Sequence, residues 1–388
     1  MHQSPQQKKS SFDRVTLYEV AEVAGVSHQT VSRVVNASPL VAERTRARVL
    51  KAIARMNYRP NSVARNLAAR RSALIGVITF SVESYGPSHL ITSLSEAARK
   101  LGYHIVVASA EYPVLDEIRR CGTELRGHGV DGVIVILPTI LRLRALEEVF
   151  GDAPVVVLGA RRQHRYTAVE IDHELGSQKA TEYLITQGHR EIACISGPLD
   201  WDCSSSRRLG WRRAVEAHKF PLGPAVECDW SPEGGYAATQ RLLDSRARFT
   251  ALVAANDQIA LGAMEALWEK GIDIPSQVSV IGFDNMPESE FFRPPLTTVN
   301  HDFDLLSTTS LQLVTQAISD PQAPRLHHKI APDLIIRQSV GPIAGEVASA
   351  SSGLVDGVGT GQKRNRSLRK NFEQKAAKVS KESVFRRS

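Results

Sequence analysis

The sequence predicts a small all-α headpiece followed by an α/β body of two doubly wound parallel-sheet lobes. Residues 12–58 hold short stretches at helical spacing that are separated by tight turns. Residues 73–340 alternate short β-rich apolar runs with helical segments, a pattern typical of parallel sheets with helices on both faces. Because more than six strands are predicted over that length, we expect two sheets side by side rather than one.

The charge of the 388-residue chain is concentrated at its two ends. Residues 1–72 hold 13 Lys/Arg against 4 Asp/Glu, a net charge of +9, and residues 346–388 carry +6. Residues 73–345 carry −8. A basic unit ahead of an acidic body predicts nucleic-acid binding by the first unit. Residues 341–388 are rich in Gly, Ser, Lys and Arg without apolar periodicity, so a disordered basic tail is expected there.

Composition and spacing argue against several other classes of protein. No apolar run reaches the roughly 18 residues of a membrane span, and the polar start Met1–Pro5 does not resemble a secretory signal. A cytoplasmic, nucleoid-associated protein is therefore expected. The four cysteines have no metal or redox spacing. The glycine pattern at 127–132 precedes a predicted strand, which favours a helix-to-strand turn over a dinucleotide loop. We expect no metal and no cofactor.

The headpiece is predicted to contain a helix-turn-helix. Thr16 and Glu19 have the spacing of a capping box that begins a helix, Leu17–Ala24. After a short turn, Ser27 begins a second helix, His28–Val35. In this motif the second helix enters the major groove of DNA.

A third helix, about Glu43–Met56, is predicted to close the small core with Val49, Leu50 and Ile53. The polar face of the second helix then remains outside. Gln29 can pair with adenine and Arg33 with guanine, each contact contributing roughly 1–3 kcal/mol of discrimination. Phosphate contacts, which position the protein without specifying sequence, are expected from Ser27, Thr30, Ser32 and Asn36. A merely solvated polar face is the alternative.

Two long runs resemble a known family. The run from Val15 to Asn36, VTLYEVAEVAGVSHQTVSRVVN, closely resembles the headpiece of the lactose-repressor (LacI/GalR) family of bacterial transcription regulators. The run from Asn57 to Ala68, NYRPNSVARNLA, resembles the family's hinge. The resemblance continues to about residue 340 and implies DNA contacts by Thr16, Leu17, Tyr18, Ser27, His28, Gln29, Thr30, Ser32, Arg33, Asn36, Tyr58, Asn61, Ala64, Leu67 and Ala68.

Residues 59–72 are predicted to be a hinge helix and linker. Pro60 stops the third helix, and Asn61 can cap a short new one. So few residues cannot hold a helix in isolation, whereas two copies packed together on DNA could. By resemblance, Leu67 is wedged between base pairs in the minor groove; an ordinary linker or core leucine is the alternative. One departure is His28, where the member that gives the family its name has tyrosine.

The body resembles the two-lobed, periplasmic-binding-protein-like core of the same family. Asn256 and Asp284 follow predicted strands, and the carboxyl ends of parallel strands are where doubly wound sheets bind ligands. The strands predicted are Leu74–Thr79, His104–Ala108, Gly132–Leu137, Val155–Leu158, Ala168–Ile171, Glu191–Ile195, Ala251–Ala254 and Val278–Gly282.

The resemblance implies hydrogen bonds from Arg207, Asn256 and Asp284 to a small-molecule effector, with Trp230 and Phe303 as apolar walls. The alternatives are a surface or interdomain ion pair for Arg207 and Asp284, and ordinary core aromatics for Trp230 and Phe303. Gly159 replaces an aspartate of the name-giving member, and Phe80 and Tyr85 replace a smaller residue and a histidine. We favour a neutral sugar, with purines and phosphorylated sugars as alternatives. The expected effector site is Phe80, Tyr85, Gly159, Arg207, Trp230, Asn256, Asp284, His301 and Phe303.

Taken together, the sequence predicts a transcriptional repressor, dimeric on a pseudopalindromic operator and released by a small-molecule inducer, with no membrane partner. A corepressor-dependent regulator or an activator is the alternative within the family. A sugar receptor or a sugar-active enzyme is the alternative outside it. The tail lacks leucine heptads, which favours a dimer over a tetramer. Its basic residues could add nonspecific DNA affinity.

Overall fold

The computed structural model describes residues 15–36, 38–58, 71–80, 82–111, 114–136, 144–159 and 166–343. The predicted hinge residues Asn61, Ala64, Leu67 and Ala68 lie outside the described residues, as does the tail from residue 344 onward. What was predicted for them stays a prediction.

The headpiece contains three helices, α1 Leu17–Ala24, α2 His28–Val35 and α3 Glu43–Arg55. The first two begin and end at the predicted residues. The predicted capping box is confirmed, since the Thr16 amide donates to Glu19 Oε2 over 2.7 Å and the Glu19 amide donates to Thr16 Oγ1 over 3.3 Å. Gly25 ends α1 in the left-handed conformation, with φ at 61°, which glycine adopts without a Cβ penalty.

The headpiece core is built on Val20, Val31 and Val49, one from each helix and each fully buried. The prediction that Leu50 belongs to this core is wrong, because its side chain is 51% exposed. Successive helical residues are rotated by about 100°, so the residue after Val49 points toward solvent. Ala52 is buried in the core instead.

The first lobe is a six-stranded parallel sheet in which all pairs run in the same direction. Its strand order is β11-β5-β4-β3-β1-β2. The strands are β1 Leu74–Phe80, β2 His104–Ala110, β3 Gly132–Ile136, β4 Val155–Leu158, β5 Thr167–Ile171 and β11 His327–Ile330. The helices of this lobe are α4 Tyr85–Lys100, α5 Leu115–Gly127, α6 Arg144–Phe150 and α11 Phe303–Ser319.

The second lobe repeats the architecture, with the strand order β12-β10-β9-β8-β6-β7 and one antiparallel edge strand, β12. Its strands are β6 Ile192–Ser196, β7 Ala225–Glu227, β8 Ala251–Ala254, β9 Ser279–Asp284, β10 Thr297–Asn300 and β12 Asp333–Ile335. Its helices are α7 His173–Thr186, α8 Asp202–Ala217, α9 Pro232–Asp244 and α10 Asp257–Glu269, with a 3-10 turn at Pro287–Phe291.

The sequence did not predict β7, β10, β11 and β12. These strands are short and partly polar, so they lack the apolar signal on which the prediction relied. In β10, Thr297 and Thr298 are fully buried because tertiary neighbours satisfy their hydroxyl groups. Thr298 donates to Asp257 Oδ1 over 2.5 Å, and Thr297 accepts from the Arg337 amide over 3.0 Å.

The described chain crosses between the lobes after β5, after β10 and after β11. Near 127–132, Gly127 ends α5, Gly129 has φ at 66° and Gly132 begins β3. This is the predicted helix-to-strand turn. Within the described ranges, no helix has the length and apolar character needed to cross a membrane.

Candidate functional site

The headpiece presents an exposed polar face along α2. His28, Gln29 and Arg33 are exposed on it, and Ser27 caps the helix by accepting from the Thr30 amide over 3.2 Å. Tyr18 of α1 is 68% exposed, and its ring lies 5.0 Å from that of His28 between centroids. The predicted base-contacting side chains therefore share one accessible surface.

The remaining predicted DNA contacts differ in exposure. Thr16 and Asn36 are exposed, whereas Leu17, Thr30 and Ser32 are half-buried. The Ser27 and Thr30 hydroxyl groups are hydrogen-bonded to each other over 2.9 Å. The Tyr58 side chain, which we expected at the DNA, is only 8% exposed and packs in the headpiece core. Its ring therefore belongs to the packing that supports α2.

A second candidate site is a cleft of about 920 Å³, including its open mouth, whose walls come from both lobes. Carboxyl ends of strands supply its walls, since Phe80 ends β1, Leu158 ends β4 and Asp284 ends β9. The cleft thus lies where parallel sheets present ligand sites. The structure brings all nine predicted effector residues, from Phe80 to Phe303, into the lining of this one cleft.

Arg207 is a buried cationic side chain in the wall of the cleft. It is 6% exposed and its Nη2 donates to Asp284 Oδ1 over 3.1 Å. Its Nη1 donates to the carbonyl oxygen of Ala255 over 2.5 Å, and its Nε donates to His173 Nδ1 over 3.3 Å. The guanidinium carbon also lies 3.7 Å from the centre of the Phe283 ring. Arg207 and Asp284 thus form a buried ion pair and still line the cleft.

Asn256 and Trp230 are also held in place in the cleft wall by neighbouring groups. The Asn256 Oδ1 caps α10 by accepting from the Ile259 amide over 2.7 Å, while its Nδ2 donates to the Trp230 carbonyl oxygen over 3.3 Å. Within the described residues one of the two Nδ2 hydrogens has an acceptor, so the other can serve a ligand. Gly197 lies against the indole so closely that a Cβ there would come within 2.7 Å of it. Trp230 is therefore held in place as a cleft wall.

Two histidines lie where the chain crosses between the lobes. The rings of His173 and His301 are 5.6 Å apart, and His301 stacks on Phe303 at 3.9 Å between centroids. Burial, reinforced by the Arg207 charge, lowers the pKa of His301 to about 3. Burial and the same charge hold the pKa of His173 well below its usual range. Both imidazoles are neutral at physiological pH.

Burial raises the pKa of the acidic groups of the cleft, whereas it lowers that of the two histidines. It raises the pKa of Tyr85 to about 12, with a smaller contribution from the Asp284 charge, so the phenol stays protonated. Burial also raises the pKa of Asp284, and the charge of Arg207 opposes this shift.

Several residues of the cleft lining were not predicted from the sequence. They are Ser84, Gly86, Pro87, Leu90, Ile136, Leu158, Glu170, Ile171, His173, Trp201, Cys203, Gln258 and Leu306. A usable signal existed for His173 and Trp201, which follow the carboxyl ends of β5 and β6. No local signal marks Leu90 or Leu306, because they reach the cleft only through the packing of α4 and α11 on the first sheet.

Comparison with known proteins identifies both units. Residues 16–61 match the model of bacterial regulatory proteins of the lacI family, and residues 181–340 match a periplasmic binding protein-like domain. The lactose operon repressor of Escherichia coli (strain K12) is 36% identical over 326 residues, covering 84% of this chain and 90% of that protein. The transcriptional repressor PurR of Histophilus somni (strain 129Pt) is 34% identical, covering 84% and 98%.

Solved structures agree with these relatives. The crystal structure of a lac repressor dimer bound to operator and the anti-inducer ONPF has a TM-score of 0.79 at 35% identity, covering 85% of this chain and all of the other. The complex of the transcriptional regulator CelR with cellobiose has a TM-score of 0.64 at 29% identity, covering 84% of this chain and all of the other.

Proposed function

Because the chain belongs to the lacI family of bacterial regulatory proteins, whose members here are DNA-binding repressors and not enzymes, we propose that it represses transcription as a homodimer on a pseudopalindromic operator. A small-molecule effector, a neutral sugar or sugar derivative, binds in the cleft and releases the repressor from the operator. The observation that carries this proposal is that one chain joins an exposed α2 face to a cleft between two separate sheets.

The geometry of the cleft supports control by a ligand. Its walls belong to different lobes that are joined by chain crossings, so a ligand that contacts both walls changes the angle between the lobes. In the proposed mechanism this movement separates the paired hinges, and the two headpieces lose their fixed spacing. Coupling of this kind is reciprocal, so operator DNA weakens effector binding by the same factor.

A dimer supplies the two-fold symmetry that a palindromic operator requires. The second lobe offers an apolar surface for it. Leu261 and Trp268 are seven residues apart on one face of α10, and they are 41% and 72% exposed, while Phe291 of the neighbouring 3-10 turn is 76% exposed. We place the subunit interface on these side chains, and we expect the dimer in the cytoplasm at the nucleoid.

The test begins with selection of a binding sequence from random duplex DNA by the full-length chain. We expect an inverted repeat, and we expect an effector found among sugars and glycosides to lower the affinity for that DNA. A DNA affinity that rises with the ligand would indicate a corepressor instead. Failure to enrich any sequence, or turnover of the sugar, would contradict the proposal.

A further inference from the structure

We infer that one face of α3 is a second DNA-binding surface of the headpiece, which holds the sugar–phosphate backbone of the operator beside the groove that α2 enters. This face is called the α3 stripe, and its residues are Arg44, Arg48, Lys51 and Arg55. The inference rests on the proposed function, because it concerns the duplex DNA that the headpiece binds. It specifies which side chains neutralise the phosphates.

The cations of the headpiece lie on α3 rather than on the helix that reads the bases. Within its described residues the headpiece has six lysines and arginines, and α2 holds only one of them, Arg33. Arg46 is engaged inside the headpiece, since it donates to the Ser38 carbonyl oxygen over 2.6 Å and its Nε lies 3.8 Å from Glu43 Oε2. The α3 stripe holds the other four. Neutralisation of phosphates by Lys and Arg supplies nearly all nonspecific DNA affinity, so the described headpiece draws this affinity mainly from α3.

The four side chains of the α3 stripe form a single row along the helix. They are spaced by four, three and four residues, which places them on one face of an α-helix. All four are exposed, whereas Val49 and Ala52 lie on a different face and are buried in the headpiece core. The row is about 17 Å long, which is the length of about five base pairs of duplex DNA.

The charge of the α3 stripe is not balanced within the described part of the chain. There, no carboxylate forms an ion pair with any of its four side chains. Arg44 and Arg48, like Lys51 and Arg55, are equal charges four residues apart, which destabilises a helix. Arg44 also lies in the first turn, where the helix dipole disfavours a cation. A row of cations that opposes the stability of its own helix indicates an anionic partner outside the chain.

The α3 stripe is continuous with the surface that α2 presents to DNA. Arg48 Nη2 donates to the carbonyl oxygen of Gly25 over 3.4 Å, in the turn that leads to Ser27. Ser27 caps α2, whose amino-terminal amides and dipole attract an anion. A phosphate bound at this helix end would lie near the Arg48 guanidinium, and the other cations of the stripe would follow the neighbouring backbone.

The partner of the α3 stripe is the backbone of the duplex and not its bases. Arginine binds phosphate oxygens in a bidentate manner, and lysine binds them as a point charge. Such contacts carry no sequence information. The α3 stripe therefore raises the affinity for every duplex by the same factor, while Gln29 and Arg33 discriminate among bases.

The experiment measures the affinity of the full-length chain for its selected operator and for a base-substituted duplex over a series of salt concentrations. Lys51→Gln should weaken binding to both duplexes by the same factor. It should also reduce the slope of the logarithm of the binding constant against the logarithm of the salt concentration by about 1. Glutamine at all four positions of the α3 stripe should reduce that slope by about 3 to 4.

A positional exchange separates a local contact from the effect of net charge. Leu50→Lys combined with Lys51→Leu keeps the composition and the charge, but it moves the cation by about 100° around α3. Both positions are exposed, with Leu50 at 51%, so the headpiece core is not altered. This variant should lose as much affinity and as much slope as Lys51→Gln.

Three outcomes would overturn the inference while the wild type still binds its operator. They are an exchange variant that binds like the wild type, an unchanged slope when all four positions are glutamine, and a loss of affinity confined to one of the two duplexes. A wild type that binds no duplex would contradict the proposed function together with the inference.

Discussion

The Arg207 guanidinium and the Asp284 carboxylate form a buried ion pair in the cleft wall, with Nη2 3.1 Å from Oδ1 and both side chains less than a tenth exposed. The pair joins α8 to the end of β9. Asp284 has φ at 104°, in the left-handed region that is costly for any residue with a side chain. The ion pair helps to hold this backbone conformation, so the site is organised before a ligand arrives.

Arg207→Ala should lower the free energy of unfolding by about 3–5 kcal/mol, because it leaves the Asp284 charge buried and unpaired. Urea denaturation of the full chain measures this. Arg212→Ala is the matched control on the same helix, where an exposed pair with Glu216 at 2.7 Å should contribute little to stability, because solvent screens both charges. Equal losses in the two variants would show that burial of the first pair is unimportant.

Gly210→Ala should destabilise the second lobe by about 2 kcal/mol or more, since overpacked positions cannot relax when backbone is in the way. A Cβ at Gly210 of α8 would lie 2.1 Å from the carbonyl oxygen of Glu174 in α7. Gly127→Ala is the control, because a Cβ there meets nothing within 4 Å. We expect that change to be neutral or to stabilise by up to about 1 kcal/mol. Thermal and urea unfolding of both variants decide the point.

His301→Gln should remove part of the acid sensitivity of the fold. The folded-state pKa of His301 is depressed to about 3, so its stabilising contribution is present above the unfolded pKa of about 6.5 and is lost as the pH falls. When the pH falls from 7 to 5, protonation of His301 in the unfolded state lowers the free energy of unfolding by about 2 kcal/mol. The wild type should therefore lose about that much more than the variant.

Asp257 acts in the opposite direction over the same pH range. Its burial raises its folded-state pKa to about 8, so its contribution is full below the unfolded pKa and is lost as the pH rises through the folded pKa. For this reason the difference between wild type and His301→Gln, measured by urea denaturation at each pH, is the quantity to compare. A difference that does not change with pH would contradict a neutral buried His301.

Arg33→Ala should weaken binding to the selected operator by about 1–3 kcal/mol and relax the base preference at one position of each half-site. Arg99→Ala, which removes an exposed arginine from α4 of the body, is the control for charge alone. Fluorescence anisotropy with wild-type and base-substituted duplexes measures both. If both variants lost affinity equally on every duplex, Arg33 would be a nonspecific contact.

Trp268→Glu combined with Leu261→Glu should convert the dimer into a monomer, because it places two charges on the exposed apolar face of α10. Sedimentation velocity at micromolar concentration measures the change. Leu305→Glu is the control, since Leu305 is 47% exposed on α11 of the first lobe. A variant that remains dimeric would place the interface elsewhere.

The local sequence pattern was sufficient to predict helices that are marked by capping residues and strands that are marked by apolar runs. The capping box at Thr16 and the cap at Ser27 predicted the bounds of α1 and α2, because such hydrogen bonds join residues three apart. The apolar strands were predicted within a few residues of their observed ends. Strands β7, β10, β11 and β12 were missed, because their polar residues become compatible with a sheet only when distant partners such as Asp257 satisfy them.

By itself, the sequence determined the two-part architecture, the family and nine of the residues that line the cleft. Only the tertiary structure decided how these side chains are used. It pairs Arg207 with Asp284, uses Asn256 as a helix cap, makes His301 neutral and assigns the ring of Tyr58 to packing. The physical reason is that hydrogen-bond partners, burial and pKa depend on groups far apart in the chain, which no local pattern specifies.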